Sequence, residues 1–216
     1  MKEGYSKLLF SFLFVLSFSL VSAQSFNAGV IAGATFCQVD GDKYFGFHKF
    51  GFTAGGYVNL PISNHFAAQM ELKYTLMGAH SSAEEAELPP PEYGPYNLSL
   101  HYAEIPLMIQ YDFGHFTVYG KSLDFITLEA GFSLDFLLKQ RGEKDYTTSS
   151  WKMNFFSVTG NFGMHFDISR HFGLGARMMY SITPIQTNPT PQWFFNHAYN
   201  KVIQLTLTYN INSPLR

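Results

Sequence analysis

The chain has 216 residues, enough for one domain, and a formal net charge of -2, which excludes an electrostatic nucleic-acid binder or a basic membrane-surface protein. Charged residues make up 14% of the chain and aromatics 18%, with 23 Phe and 13 Tyr, whereas an ordinary soluble domain carries about 25% charge. The single cysteine, Cys37, excludes an intramolecular disulfide.

Lys2 and Lys7 precede the apolar run LLFSFLFVLSFSLV (8–21) and the small-residue pattern Val21-Ser22-Ala23. This is the pattern of a secretory signal peptide over 1–23, cleaved after Ala23. The run is shorter than the ~20 residues a membrane helix needs. Gln24 follows the site, not a cysteine, which disfavours a lipoprotein. Removing 1–23 takes away two lysines and one glutamate and leaves a net charge of about -3.

From residue 24 to 216 the pattern is one of strands. FNAGVIAGATFC (26–37) and FGFTAGGYVNL (50–60) alternate at period two, with Phe26, Val30 and Phe36, then Phe50, Phe52 and Val58, on their apolar faces. HFAAQMELKYTL (65–76) sets Phe66, Met70, Leu72 and Tyr74 against Gln69, Glu71, Lys73 and Thr75. LSLHYAEIPLMIQYDF (98–113) changes phase: Leu98, Leu100 and Tyr102 share one face, then Ile105, Leu107 and Ile109 take over. A β-bulge beside Pro106 is expected there, since proline cannot donate to the ladder. ITLEAGFSLDFLL (126–138), NFFSVTGNFGMHFDI (154–168), FGLGARMMYSIT (172–183) and KVIQLTLTYNI (201–211) complete a set of eight.

Outside the region of phase change, the apolar faces carry no Asp, Glu, Lys or Arg, and the polar faces are built mainly of Thr, Ser, Asn, Gln and Gly. The ions collect in the connections DGDK (40–43), EEAE (84–87) and KQRGEKD (139–145). A charge on a lipid-facing strand costs about 2–4 kcal/mol at mid-bilayer, which accounts for this distribution. Short links at 61–64, 169–171 and around 114–125 alternate with long ones at 38–49, 79–97, 139–152 and 184–200. The expected fold is all-β: an eight-stranded antiparallel up-and-down transmembrane β-barrel of a Gram-negative outer membrane, both termini on the periplasmic side, in contact with outer-membrane lipid. The alternative is a soluble lipocalin-like carrier.

Taken in order, GVIAGATFCQVDGD (29–42), HKFGFTAGGYVNLPIS (48–63), QMELKYTLMG (69–78), LHYAEIPLMIQY (100–111) and LEAGFSLDFLL (128–138) resemble the PorT-like outer-membrane β-barrel domain family, with Tyr102–Leu107 the most specific element. The resemblance implies an eight-stranded barrel and, for some members, an accessory role in type IX secretion with envelope or secretion proteins as partners. Fold alone does not carry that role over.

The candidate site is a lumen charge network of Glu71, Lys73, Glu104, Glu129, Asp135 and Arg177. In a lumen this narrow, unpaired charges are expensive, so pairing is expected. Its bland reading is a structural plug that fixes register; its functional reading is a relay or gate. Eight strands leave a lumen just filled by side chains, so a diffusion pore is not expected. The 8 histidines form no H-x-x-x-H motif and no pair with Cys37, so neither a metal nor another cofactor is expected. His80, Ser81 and Ser82 are adjacent in sequence, which is not triad geometry, and no catalytic residue is assigned. Phe26, Phe50, Tyr57, Tyr111, Tyr180 and Tyr209 are expected in aromatic girdles. Trp193, Phe194 and Phe195, in the loop PTPQWFF (189–195), and the loop EEAELPPPEYGPY (84–96) are the candidate partner surfaces.

Overall fold

The computed structural model describes residues 26–42, 45–87, 96–114, 117–118, 121–122, 124–142, 153–187 and 197–212. The expected signal peptide (1–23) and the Trp193–Phe195 cluster lie outside the described residues. Eight long strands form the wall: β1 (Asn27–Asp40), β2 (Lys49–Pro61), β3 (Phe66–His80), β4 (Asn97–Asp112), β5 (Ile126–Gly142), β6 (Phe156–Asp167), β7 (Phe172–Ser181) and β8 (His197–Asn210). Each pairs antiparallel with its neighbour in sequence, and β1 pairs with β8 from Gly29↔Asn210 to Asp40↔Tyr199, so the sheet closes without an edge.

Register fixes the shape of the cylinder. Following partners from Ala28 through Val58, Met70, Leu107, Phe132, Gly160, Tyr180 and Lys201 returns to Gln38, a stagger of ten residues. With eight strands, such a stagger goes with a strand tilt of about 40° and an interior only wide enough for side chains.

The alternation resolves into an inverted distribution. Leu72, Phe132 and Leu205 are 66%, 45% and 49% exposed, while Glu71 and Arg177 are 1% and 5% exposed. Packing aliphatic and aromatic residues outward is favourable only if hydrocarbon replaces water around the wall. A soluble carrier barrel has the opposite arrangement.

The two tight turns repeat one device. Ser63 and Ser169 each accept, through the side-chain oxygen, a hydrogen bond from the amide of the next strand's first residue, Phe66 and Phe172, both at 3.1 Å. Their own amides bond the carbonyls of the same phenylalanines at 3.0 Å. A hydroxyl close to the backbone can satisfy turn amides in this way. The third turn-end link is longer than the short connection expected, because it contains a two-stranded ribbon, Thr117–Val118 with Lys121–Ser122.

Two further expectations are corrected. Strand β4 does not slip at Pro106: Leu98, Leu100, Tyr102, Glu104 and Met108 are all buried on one side of an unbroken alternation. The apparent change of phase arises because its outer half points apolar side chains into the lumen. The irregularity lies on β5, where His101↔Lys139 is followed by Tyr102↔Leu137, leaving Leu138 as an unpaired extra residue. The wall also extends beyond the sequence estimate, since Lys139–Gly142, expected in a loop, still pair with Leu98–His101.

At the loop end, helix α1 (Ala83–Glu87) is capped reciprocally. The Ser82 amide donates to Glu85 Oε2 at 2.7 Å, and the Glu85 amide donates to Ser82 Oγ at 3.1 Å. Glu85 Oε1 also accepts from the Phe45 amide at 3.2 Å, which ties this loop to the β1–β2 loop.

Candidate functional site

The lumen divides along the barrel axis into three layers. At the turn end, a cavity of about 440 Å³ is walled by polar side chains including Tyr57, Asn59, Gln69, Gln110, His165 and Thr208, and it ends on Glu129 and Arg177. Its carboxamides bond one another: Asn59 Nδ2 donates to Gln110 Oε1 at 2.6 Å, and Gln110 Nε2 donates to Gln69 Oε1 at 3.1 Å. Gln69 Nε2 then donates to Glu71 Oε1 at 2.8 Å, so the wall of the cavity leads directly into the charged layer.

That middle layer gathers all six charged residues named from the sequence. Arg177, on β7, reaches across the lumen to β3 and along to β5. Its Nη2 and Nη1 donate to Glu71 Oε1 and Oε2 at 2.8 and 3.1 Å, and its Nε donates to Glu129 Oε1 at 2.8 Å. The planar guanidinium suits such two-sided carboxylate contact. Lys73 Nζ lies 3.2 Å from Glu71 Oε2 and 3.8 Å from Glu104 Oε2, and it donates to Gln204 Oε1 at 3.0 Å. Glu104 and Asp135 face each other in register on β4 and β5. Each accepts a hydroxyl, from Thr75 and Thr159 respectively. The structure therefore brings Glu71, Lys73, Glu129 and Arg177 into direct contact, connects Glu104 through Lys73, and holds Asp135 by hydroxyl contact and register.

The third layer is apolar. Cys37, Val39, Met77, Leu98, Leu100, Tyr102, Met179, Ile185 and Val202 are all buried in one cluster at the loop end. Sequence alternation missed this layer, because these side chains occupy lumen positions yet have the chemistry of the outer face. The signal that could have revealed it is parity: Leu98, Leu100 and Tyr102 share their parity with Glu104.

Tyr57 is a correction to the expected girdle. It points into the lumen, donates its hydroxyl to Asn210 Oδ1 at 2.8 Å, and packs beside Gly29, where a Cβ would meet the Tyr57 ring at 2.5 Å. Gly29 and Tyr57 are direct cross-strand partners, so the glycine makes room for the ring. The other five girdle candidates face outward: Phe26, Phe50, Tyr180 and Tyr209 are exposed, and Tyr111 packs with Phe66 at a ring distance of 5.0 Å. Lys49, not singled out from the sequence, is buried and donates to Asn97 Oδ1 and Ser99 Oγ, each at 2.6 Å. Among the described residues no cluster of three or more His, Cys, Asp or Glu has the geometry of a metal centre.

Residues 22–186 match the family model described as an outer membrane protein beta-barrel domain. A comparison with curated proteins finds no match. Among solved structures, the chain is similar to Ail, the attachment invasion locus protein of Yersinia pestis, at 11% identity and TM-score 0.45, over 86% of this chain and 98% of that one. It is also similar to Neisserial surface protein A, at 12% identity and TM-score 0.44, over 85% and 96% of the two chains. A third is the outer membrane protein AlkL in lipid bilayers, at 13% identity and TM-score 0.41, over 90% and 95%.

Proposed function

The chain belongs to the outer-membrane β-barrel domain family, and on that premise we propose that it is a non-catalytic, non-conducting envelope protein whose loop end faces outward and presents partner-binding loops. Residues 1–23 act as the export signal and are removed after Ala23. The carrying observation is the filled lumen: a belt built on Arg177, Glu71 and Glu129 lies beneath an apolar plug built on Leu100, Tyr102 and Met179. Two materials occupy the same axis, which supports a blocked lumen and is in keeping with the small bore of an eight-stranded barrel.

The test combines two measurements on protein from the membrane fraction. An unboiled sample on a detergent gel is expected to migrate differently from a boiled one. Planar-bilayer recordings are expected to show no steady large conductance, and such a conductance would overturn the blocked-lumen reading. N-terminal sequencing of the same material is expected to begin at Gln24.

A narrower reading, an accessory role in type IX secretion, is favoured by the PorT-like stretch Leu100–Tyr111. Deleting the protein and following export of type IX cargo separates this role from a purely structural or partner-binding one. Its partners would engage the outer loops, where Trp193, Phe194 and Phe195 are placed by sequence.

A further inference from the structure

The bulge at Leu138 changes which way a positive charge points. Below it, Glu129, Ser133 and Asp135 are buried on the lumen face of β5. By that parity Lys139 and Arg141 would also enter the lumen. The extra residue reverses the parity, and the two cations pair instead with His101 and Ser99 on β4. Direct cross-strand partners share a face. His101 and Ser99 alternate with the buried Leu98, Leu100 and Tyr102, so their face is the outer one. A bulge that interrupts a ladder to re-aim side chains is the use to which such irregularities are commonly put.

The resulting patch borders two outer aromatics, Tyr74 and Phe52. Tyr74 contacts His101 through its hydroxyl on Nδ1, and their ring centroids are 5.9 Å apart. Tyr74 in turn packs on Phe52 at 5.5 Å. Lys139 and Arg141 continue from His101 toward the loop end. Lys49 donates to Ser99 Oγ at 2.6 Å but is itself buried and paired in register with the lumen residue Cys37, so it adds no exposed charge to the patch. Among the described residues, neither Lys139 nor Arg141 has a carboxylate within ion-pair distance, whereas the lumen bases Lys73 and Arg177 each have two. His101 Nε2 is shielded from solvent and has no hydrogen-bond partner among the described residues. Buried ring nitrogens ordinarily have one.

We propose that Ser99, His101, Lys139 and Arg141 form a binding site for the phosphorylated headgroup of an outer-leaflet lipid. An aromatic ring with cations just beyond it places positive charge where the headgroups of surrounding lipids lie. Arginine supplies a planar fork for phosphate oxygens and lysine a compact charge. The inference rests on the membrane reading above, which sets the wall in lipid and the loop end outward.

The test uses the full mature chain in phosphatidylcholine bilayers, with and without a tenth of the lipid replaced by bisphosphorylated lipid A. The bisphosphorylated lipid is expected to raise the midpoint of the heat-induced gel shift by about 5 °C in the wild type. The rise is expected to vanish in Lys139→Gln/Arg141→Gln and to survive in Lys201→Gln, which alters an outward cation on β8. Inorganic phosphate at millimolar concentration is expected to do nothing, which separates a lipid site from a free-anion site. Equal responses from the wild type and the double variant, or loss of the response in Lys201→Gln, would overturn the site while leaving the barrel intact. A chain that shows no heat-modifiable form in any bilayer would overturn the membrane reading and the site with it.

Discussion

The two ends of the lumen are filled by opposite chemistry on the same scaffold. Toward the turn end, side chains are charged or amide-bearing and hold one another by hydrogen bonds; toward the loop end, they are aliphatic, aromatic or sulfur-containing and hold one another by contact. Specificity resides in the charged level. Arg177 binds Glu71 and Glu129 at once, which ties β7 to β3 and β5 through the lumen. The apolar layer fills space with less directional demand, as hydrophobic packing does. A closed barrel can therefore be registered by ions at one level and sealed by hydrocarbon at another.

The charged level is most vulnerable at Arg177. Arg177→Ala removes one base from two buried acids and is expected to cost about 3–5 kcal/mol, read as a lower urea midpoint of the folded form in lipid vesicles. Because the apolar layer stays intact, the same variant is expected to remain electrically silent in planar bilayers. Conductance from it would show that the ions alone closed the lumen. Leu100→Ala, in the apolar layer, is expected to cost about 2–4 kcal/mol through lost contact and a residual cavity, by the same urea measurement.

Smaller effects sharpen the contrast. Replacing Glu71 and Arg177 together by methionine is expected to cost less than the two single changes added, with a coupling of about 1–3 kcal/mol in a double-mutant cycle. Simple additivity would mean that the pair is not a unit. Tyr57→Phe removes one hydroxyl bond to Asn210 and is expected to cost about 1 kcal/mol in the urea midpoint.

The smallest effect lies outside the wall. Partial burial works against the Glu85 charge, but the Ser82 and Phe45 amides that donate to its carboxylate hold it below the usual range. A depressed folded-state value stabilises above the ordinary value of 4.5 and is lost as pH falls through the folded one. Amide exchange at Phe45, corrected for intrinsic rate, is therefore expected to be slowest above about pH 5 and to lose protection in acid. Glu85→Gln is expected to remove that pH dependence without moving the urea midpoint.

Much of this architecture is legible in the sequence, and the gaps have a physical cause. Alternation separates two faces in every strand, and the absence of ions from one face of β2, β3 and β6 is enough to choose which meets lipid. Alternation cannot label a face when both sides are apolar, which is why Leu98, Leu100 and Tyr102 mimic a lipid-facing run and suggest a slip at Pro106. Tyr57 misleads similarly: a tyrosine near a strand end suits a girdle, and only its pairing with Gly29 gives it a place inside. The six lumen charges share a face by parity alone, but their pairing is set by a stagger between strands that no single segment contains. Leu138 was invisible because one unpaired residue leaves no compositional trace.

The seam between β1 and β8 joins the first and last strands of the wall, from Gly29↔Asn210 to Asp40↔Tyr199. Until the final strand is synthesised, β1 and β7 each present a row of unpaired amides and carbonyls that hydrocarbon cannot satisfy. A partly built wall therefore leaves two open edges that have to be covered until the last strand arrives. Pairing of the last strand with the first is the step that removes both edges at once.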